Sequence, residues 1–97
     1  MSGESIAYEQ DARDAMTRAG FEVIDRAGVH DYQGWGVVLG RHGEEFAVLS
    51  WSYGSCEVCD SYMEMSDAER SLAFDALLER GMNEADARAR FEQRKGW

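Results

Sequence analysis

Apolar residues recur along this chain with two different periods, and the change of period divides it into three parts. From Ser5 to Ala19 they follow a helical repeat: Tyr8, Ala12, Ala15, Met16 and Ala19 share one side of a 3.6-residue wheel, with Glu9, Asp11, Asp14 and Arg18 largely elsewhere. Gly20 is the natural stop, because glycine accepts the left-handed conformation that follows a last turn. The middle part changes to strand character. Phe21-Glu-Val-Ile-Asp-Arg-Ala begins with apolar/charged alternation. Trp35-Gly-Val-Val-Leu-Gly-Arg41 and Glu45-Phe-Ala-Val-Leu-Ser-Trp-Ser-Tyr53 are richer in branched and aromatic residues. Arg41-His-Gly-Glu44 between them predicts a short hairpin connection. Gly34, Gly36 and Gly40 weaken the middle strand or mark bulges.

The helical period returns in the last part. Ser66-Asp-Ala-Glu69 has the form of a capping box, a hydroxyl followed three residues later by a carboxylate. Leu72, Ala73, Ala76 and Leu77 form a stripe from there, and Phe74 and Leu78 lie well round the helix from Leu72. So broad an apolar surface belongs to a helix that packs between two elements or meets another protein. Gly81 is expected to end it. Asn83 caps a further short helix, whose early Glu84 and Asp86 and late Arg94 and Lys95 suit its macrodipole. The predicted fold is α+β: a small three-stranded antiparallel meander covered by an N-terminal helix and a C-terminal helical pair, in the order α-β-β-β-α-α. It forms a single domain over residues 1–97. A domain of 97 residues buries only about 60–65% of the surface of its unfolded chain, so its stability margin is thin.

Composition changes the picture in one respect, the placement of charge. The net charge is −9. Between residues 57 and 79, Glu57, Asp60, Glu64, Asp67, Glu69, Asp75 and Glu79 are opposed only by Arg70, a local charge of −6. Residues 80–97 carry +2. Direct binding to nucleic acid is disfavoured, since a phosphate backbone requires cations along the contact surface. A basic partner, a protein or a ribonucleoprotein complex, matches the acidic run. The plainer reading is that the acids keep a small protein soluble. No apolar run approaches the roughly 18 residues of a membrane span, and the N-terminal residues lack the basic end and apolar stretch of a signal peptide. A soluble cytoplasmic protein is expected.

The candidate chemistry lies in Cys56-x-x-Cys59, which holds both cysteines of the chain. That spacing supplies two of the four ligands of a structural zinc site. Of the two histidines, His42 sits at the wrong end of the expected hairpin, roughly 25–30 Å away at about 3.3 Å per residue. His30, with Asp31 or Asp60 as oxygen donor, is the better intramolecular completion, and a homodimer pooling two cysteine pairs is the other. A redox dithiol is opposed by Glu57 and Asp60, which raise a thiol pKa by like-charge repulsion, and by the absence of proline from the chain. The bland alternative is two small apolar side chains packed at a strand-to-helix corner. No serine elbow or dinucleotide-binding glycine pattern is present. Trp51, Tyr53 and Leu49 share one strand face and read as core rather than as a base-stacking platform. The chain reads as non-enzymatic.

The run Asp31-Tyr-Gln-Gly34, two strands, then Tyr53-Gly-Ser-Cys-Glu-Val-Cys-Asp60 resembles a segment shared by short proteins of bacteria and their phages, with the pattern Tyr-Gln-Gly, hairpin, Tyr/Trp-Gly-Ser-Cys-x-x-Cys-Asp. The similarity covers residues 31–62. Glu57-Val58 stands here in place of a small Ser-Gly pair, making the loop bulkier and more negative. A phage setting implies a further analogy, of size and charge only, with small acidic inhibitors of host machinery such as anti-CRISPR proteins that occupy nucleic-acid-binding surfaces. The leading expectation is a small acidic interaction protein of this phage-inhibitor type, with Glu57, Asp60, Glu64, Asp67, Glu69, Asp75 and Glu79 as its contact surface. The alternative is a zinc-binding or thiol-active domain centred on Cys56, Cys59 and His30.

Overall fold

A computed structural model of the chain describes residues 3–29, 34–53 and 66–95. In chain order these form α1 (Gly3–Arg18), β1 (Glu22–Val29), β2 (Gly34–His42), β3 (Glu45–Tyr53), α2 (Asp67–Leu77), β4 (Leu78–Met82) and α3 (Glu84–Arg94). The α+β class and the covered antiparallel meander match the expectation. The sheet has a fourth strand, however, in the order β1-β2-β3-β4, and every neighbouring pair is antiparallel.

The central pair, β2 and β3, shapes the rest. Its sequences are almost continuously apolar rather than alternating, which marks strands buried on both faces. One face carries Val38, Ala47, Leu49 and Trp51 against Ala12, Ala15 and Met16 of α1 and Phe74 of α2. The other carries Val37, Leu39, Phe46 and Val48 against Ala87 and Phe91 of α3. The expected core role of Trp51 and Leu49 holds: both are buried, and the Trp51 indole meets the Phe74 ring edge-on with centroids 6.3 Å apart.

Local signals set the element ends. Gly20 takes φ +92°, the Phe21 N–H donates to Met16 O at 2.9 Å and the Gly20 N–H to Thr17 O at 3.0 Å, together a Schellman closure of α1. His42 pairs with Glu45 across a two-residue turn, Gly43-Glu44, in which only the first residue has positive φ. Glycine at that position is the mark of a type II′ hairpin turn, whose twist suits the flanking strands. Gly36 and Gly40 of β2 serve close packing, and the register shifts of the sheet lie instead in β1, between Val23 and Asp25, and in the β3–β4 pairing, between Phe46 and Val48. A Cβ on Gly36 would lie 2.1 Å from Trp51 Cζ2, and one on Gly40 would lie 2.7 Å from Met16 Sδ. These two positions let a tryptophan and a methionine rest directly on the strand backbone.

The last third departs from the sequence reading in two ways. The helix expected to run to Gly81 stops at Leu77, and Leu78–Met82 becomes β4, pairing Leu78 with Leu49, Glu79 with Val48 and Met82 with Phe46. An apolar strand edge on β3 offered ladder partners that the helical pattern of Leu77-Leu78 could not reveal. Gly81 has φ +82° within this strand rather than capping a helix. The buried face of α2 is also set by Phe74, so Leu72 is 70% and Leu77 43% exposed, and Ala73 and Ala76 are exposed with them.

Gly36→Ala tests the Trp51 seat. The added methyl overlaps the indole, and over-packing of this kind costs about 1–3 kcal/mol. Urea unfolding followed by far-UV dichroism should show that loss, and Gly36→Ala combined with Trp51→Leu should recover part of it, a non-additivity expected only of residues in contact.

Candidate functional site

Of the acidic residues expected to form a contact surface, Asp67, Glu69, Asp75 and Glu79 are described; Glu57, Asp60 and Glu64 lie outside the described residues, as do Cys56, Cys59 and His30. The first three described carboxylates stand on α2. Ser66 caps that helix as the sequence predicted: its Oγ accepts from the Glu69 N–H at 3.2 Å, and its own N–H donates to Glu69 Oε1 at 2.8 Å. The backbone and hydroxyl hydrogen bonds of Ser66 hold the Glu69 carboxyl below its ordinary value, so it remains ionised well into mild acid. Asp67, its side chain 95% exposed, pairs with Arg70, one turn on.

Asp75 sits near the other end of α2 and meets Arg18 of α1 at 2.7 Å, while the same guanidinium donates to Ser71 O at 3.3 Å. Arg18, Asp75, Ala19, Leu78 and Arg80 line a cleft of about 330 Å³. Arg80 lies over the Phe21 ring, 5.1 Å from its centroid, and reaches Glu45 at 3.2 Å. The Gly81 N–H donates to the same Glu45 carboxylate at 2.9 Å, tying β4 to the turn end of the hairpin.

Glu79 does not join the others. Its register against Val48 puts it on the α3 side of the sheet, where Arg90 and Arg94 both bond its Oε1. The fold therefore gathers Asp67, Glu69 and Asp75 along one helix and turns Glu79 into a clamp between β4 and α3. The residues that sequence reasoning missed are the arginines that answer the acidic run. Arg18 and Asp75 are separated by 57 positions, and no local pattern announces such a pair.

Gly34 pairs with Tyr53, so the chain enters β2 and leaves β3 at the same end, and His42 pairs with Glu45 at the opposite end. His42 packs edge-on to Phe21, with ring centroids 6.3 Å apart. Among the described residues no three His, Cys, Asp or Glu side chains converge to hold a metal ion, and no helix is long and apolar enough to cross a membrane.

A second electrostatic cluster joins α1 to the edge of the sheet. Glu9 accepts from Arg13 at 3.0 Å and from Arg26 of β1 at 2.8 Å. Arg70 reaches Asp11 of α1 at 3.5 Å, linking the two helices on that face. Burial pushes the Glu9 carboxyl up, but the Arg26 and Arg13 guanidiniums outweigh it and hold it below its ordinary value of 4.5.

No protein-family model, curated protein or solved structure matches this chain.

The Glu9 cluster predicts an acid-sensitive component of stability. A carboxyl lowered in the folded state stabilises fully above the unfolded value of 4.5, and that contribution disappears as pH falls through the lower folded value. Glu9→Gln should cost about 1 kcal/mol at pH 7, a magnitude that allows for solvent screening of partly exposed pairs. The difference from the wild type should close when unfolding is measured below that window. A constant difference at every pH would show that the charge of Glu9 is irrelevant to it.

Proposed function

We propose that this chain is a small acidic interaction protein, of the phage-inhibitor type, that works by occupying a basic surface of a nucleic-acid-binding host protein or ribonucleoprotein complex. The observation that carries this reading is the uneven distribution of charge, −6 over residues 57–79 within a total of −9. An acidic surface of this kind speeds encounter with a cationic partner and competes with phosphates for the same groups. The α2 carboxylates support it: Asp67, Glu69 and Asp75 lie along one exposed helix, and Glu69 has Ser66 rather than a cation as its bonded partner. Glu79 takes no part in this surface, because Arg90 and Arg94 hold it on the other side of the sheet.

Capture from bacterial lysate on the immobilised chain tests the reading, alongside a variant in which Glu64, Asp67, Glu69 and Asp75 become Ser. The wild type should retain a cationic protein that the variant loses, and moderate salt should release it, because exposed charges are screened over about 8–10 Å at physiological ionic strength. Equal recovery by both forms, indifferent to salt, rules out an electrostatic interface.

A second reading, a zinc or thiol centre on Cys56 and Cys59 completed by His30, draws support from the sheet register. The Gly34–Tyr53 pairing puts the first residue of β2 and the last of β3 at the same end of the sheet. Metal analysis of protein purified without chelator separates the two readings. Stoichiometric zinc, lost in Cys56→Ser and Cys59→Ser, supports a metal centre. Two freely titrating thiols with no metal remove it.

A further inference from the structure

A surface helix normally buries its apolar side chains, yet α2 leaves most of its own exposed beside its carboxylates. Phe74 and the half-buried Ser71 and Arg70 face the molecule, with Arg70 paired to Asp11 and Asp67. The outward positions, one to two turns apart, are Ala68, Glu69, Leu72, Ala73 and Ala76, all exposed. Glu69 is the one polar residue among them. Leu72, at 70% exposure, is the most exposed of the large hydrophobics described. Alanines on either side of a projecting leucine leave shallow grooves into which the ridge of a second helix can settle, at the 8–10 Å axial separation of packed helices.

Charge decides what can lie there. Asp67 and Glu69 stand at one end of the stripe and Asp75 at the other, and the one cation of the helix, Arg70, is turned inward. A second copy of this chain would set carboxylates against carboxylates in either orientation: parallel pairing repeats the same ends, and antiparallel pairing opposes Asp67 and Glu69 to Asp75. Each chain would also bring its net −9. A helix with apolar residues on one side, flanked by Lys and Arg, meets the stripe with its leucines and the carboxylates with its cations.

We infer that the outward face of α2, centred on Leu72, Ala73 and Ala76, is a docking surface for a basic amphipathic helix of a partner protein. The inference rests on the acidic-interaction reading above and specifies the element and mode of contact. Leu72 acts as the apolar anchor, and Glu69, Asp67 and Asp75 set the register and favour cationic sequences.

A labelled synthetic 15-residue amphipathic helix, leucine and alanine on one side and Lys/Arg on the other, is the probe. Its affinity is measured by anisotropy for the wild type, for Leu72→Asp and for the fourfold Ser variant. Leu72→Asp removes apolar contact while adding negative charge, so the two contributions move in opposite directions. Docking in the stripe predicts binding weakened about tenfold or more, the loss typical of a central anchor. Unchanged or tighter binding by Leu72→Asp overturns the inference, since the peptide then responds to charge alone. If the fourfold variant loses the peptide in that case, the acidic surface survives and only the helix dock falls. If neither variant alters binding, both readings fall. No binding to the wild type at about 1 mM peptide also overturns the inference.

Amide shifts on titration should gather between residues 68 and 76, and a shift map centred elsewhere is contrary. Sedimentation showing a dimer that Leu72→Asp dissolves would assign the stripe to a second copy and overturn the proposal. Shielding of the Leu72 methyls from a dissolved paramagnetic probe in the free monomer would do the same, because the chain would then cover the stripe itself.

Discussion

The structure depends on one constraint: the hairpin of β2 and β3 is apolar on both faces and must be covered on both. Val37, Val38, Leu39, Ala47, Val48 and Leu49 alternate in direction, and all are fully buried. A sheet with one wet face would leave half of them in water, at about 25 cal/mol for each Å² of apolar surface exposed. Helices therefore lie on both sides, α1 and α2 over one face and α3 over the other. Close approach completes the packing. Gly36 and Gly40 carry no side chain where the Trp51 ring and the Met16 thioether meet the backbone. The same hairpin also accounts for β4, which completes one edge of a strand whose side chains are already committed on both sides.

Charge is arranged around this core by topology rather than by sequence order. The acidic run reads as one block, but its described part passes from helix to strand between Leu77 and Leu78. Asp67 and Asp75 end beside Arg70 and Arg18, and Glu79 is held between Arg90 and Arg94. Much of the local charge is thus compensated within the fold by bases supplied from α1 and α3. Partly exposed pairs of this kind contribute little each, but several of them bridge elements: Arg26 to Glu9, Arg80 to Glu45, Arg18 to Asp75. They leave α2 as the element where Glu69, bonded to Ser66 rather than to a cation, stands beside exposed apolar surface.

That coincidence is the physical core of the functional proposal. Burial of Phe74 fixes the rotation of α2, and the rotation places Leu72, Ala73 and Ala76 outward. A chain selected only for solubility would place charge there. An apolar stripe bordered by carboxylates matches a surface that is covered part of the time by something cationic.

The sequence alone determined the features governed by contacts within a few residues. The Ser66–Glu69 capping box, the Asn83 cap, the Gly20 closure of α1 and the Gly43 turn each arise from local hydrogen bonding or from a positive φ that glycine tolerates. The branched and aromatic residues of β2 and β3 likewise predicted an antiparallel hairpin with Trp51 in the core. Only the tertiary structure decided the fate of Leu78–Met82, because helix and strand compete there on nearly equal local terms and the open edge of β3 decides between them. It also chose Phe74 over the Leu72–Leu77 stripe as the buried side of α2. The helix is apolar on most of its circumference, so periodicity could not say which side the sheet would take, and edge-on packing against Trp51 settled it. The pairing of Arg18 with Asp75 across 57 positions belongs to the same class: such contacts exist only after the chain has folded back on itself.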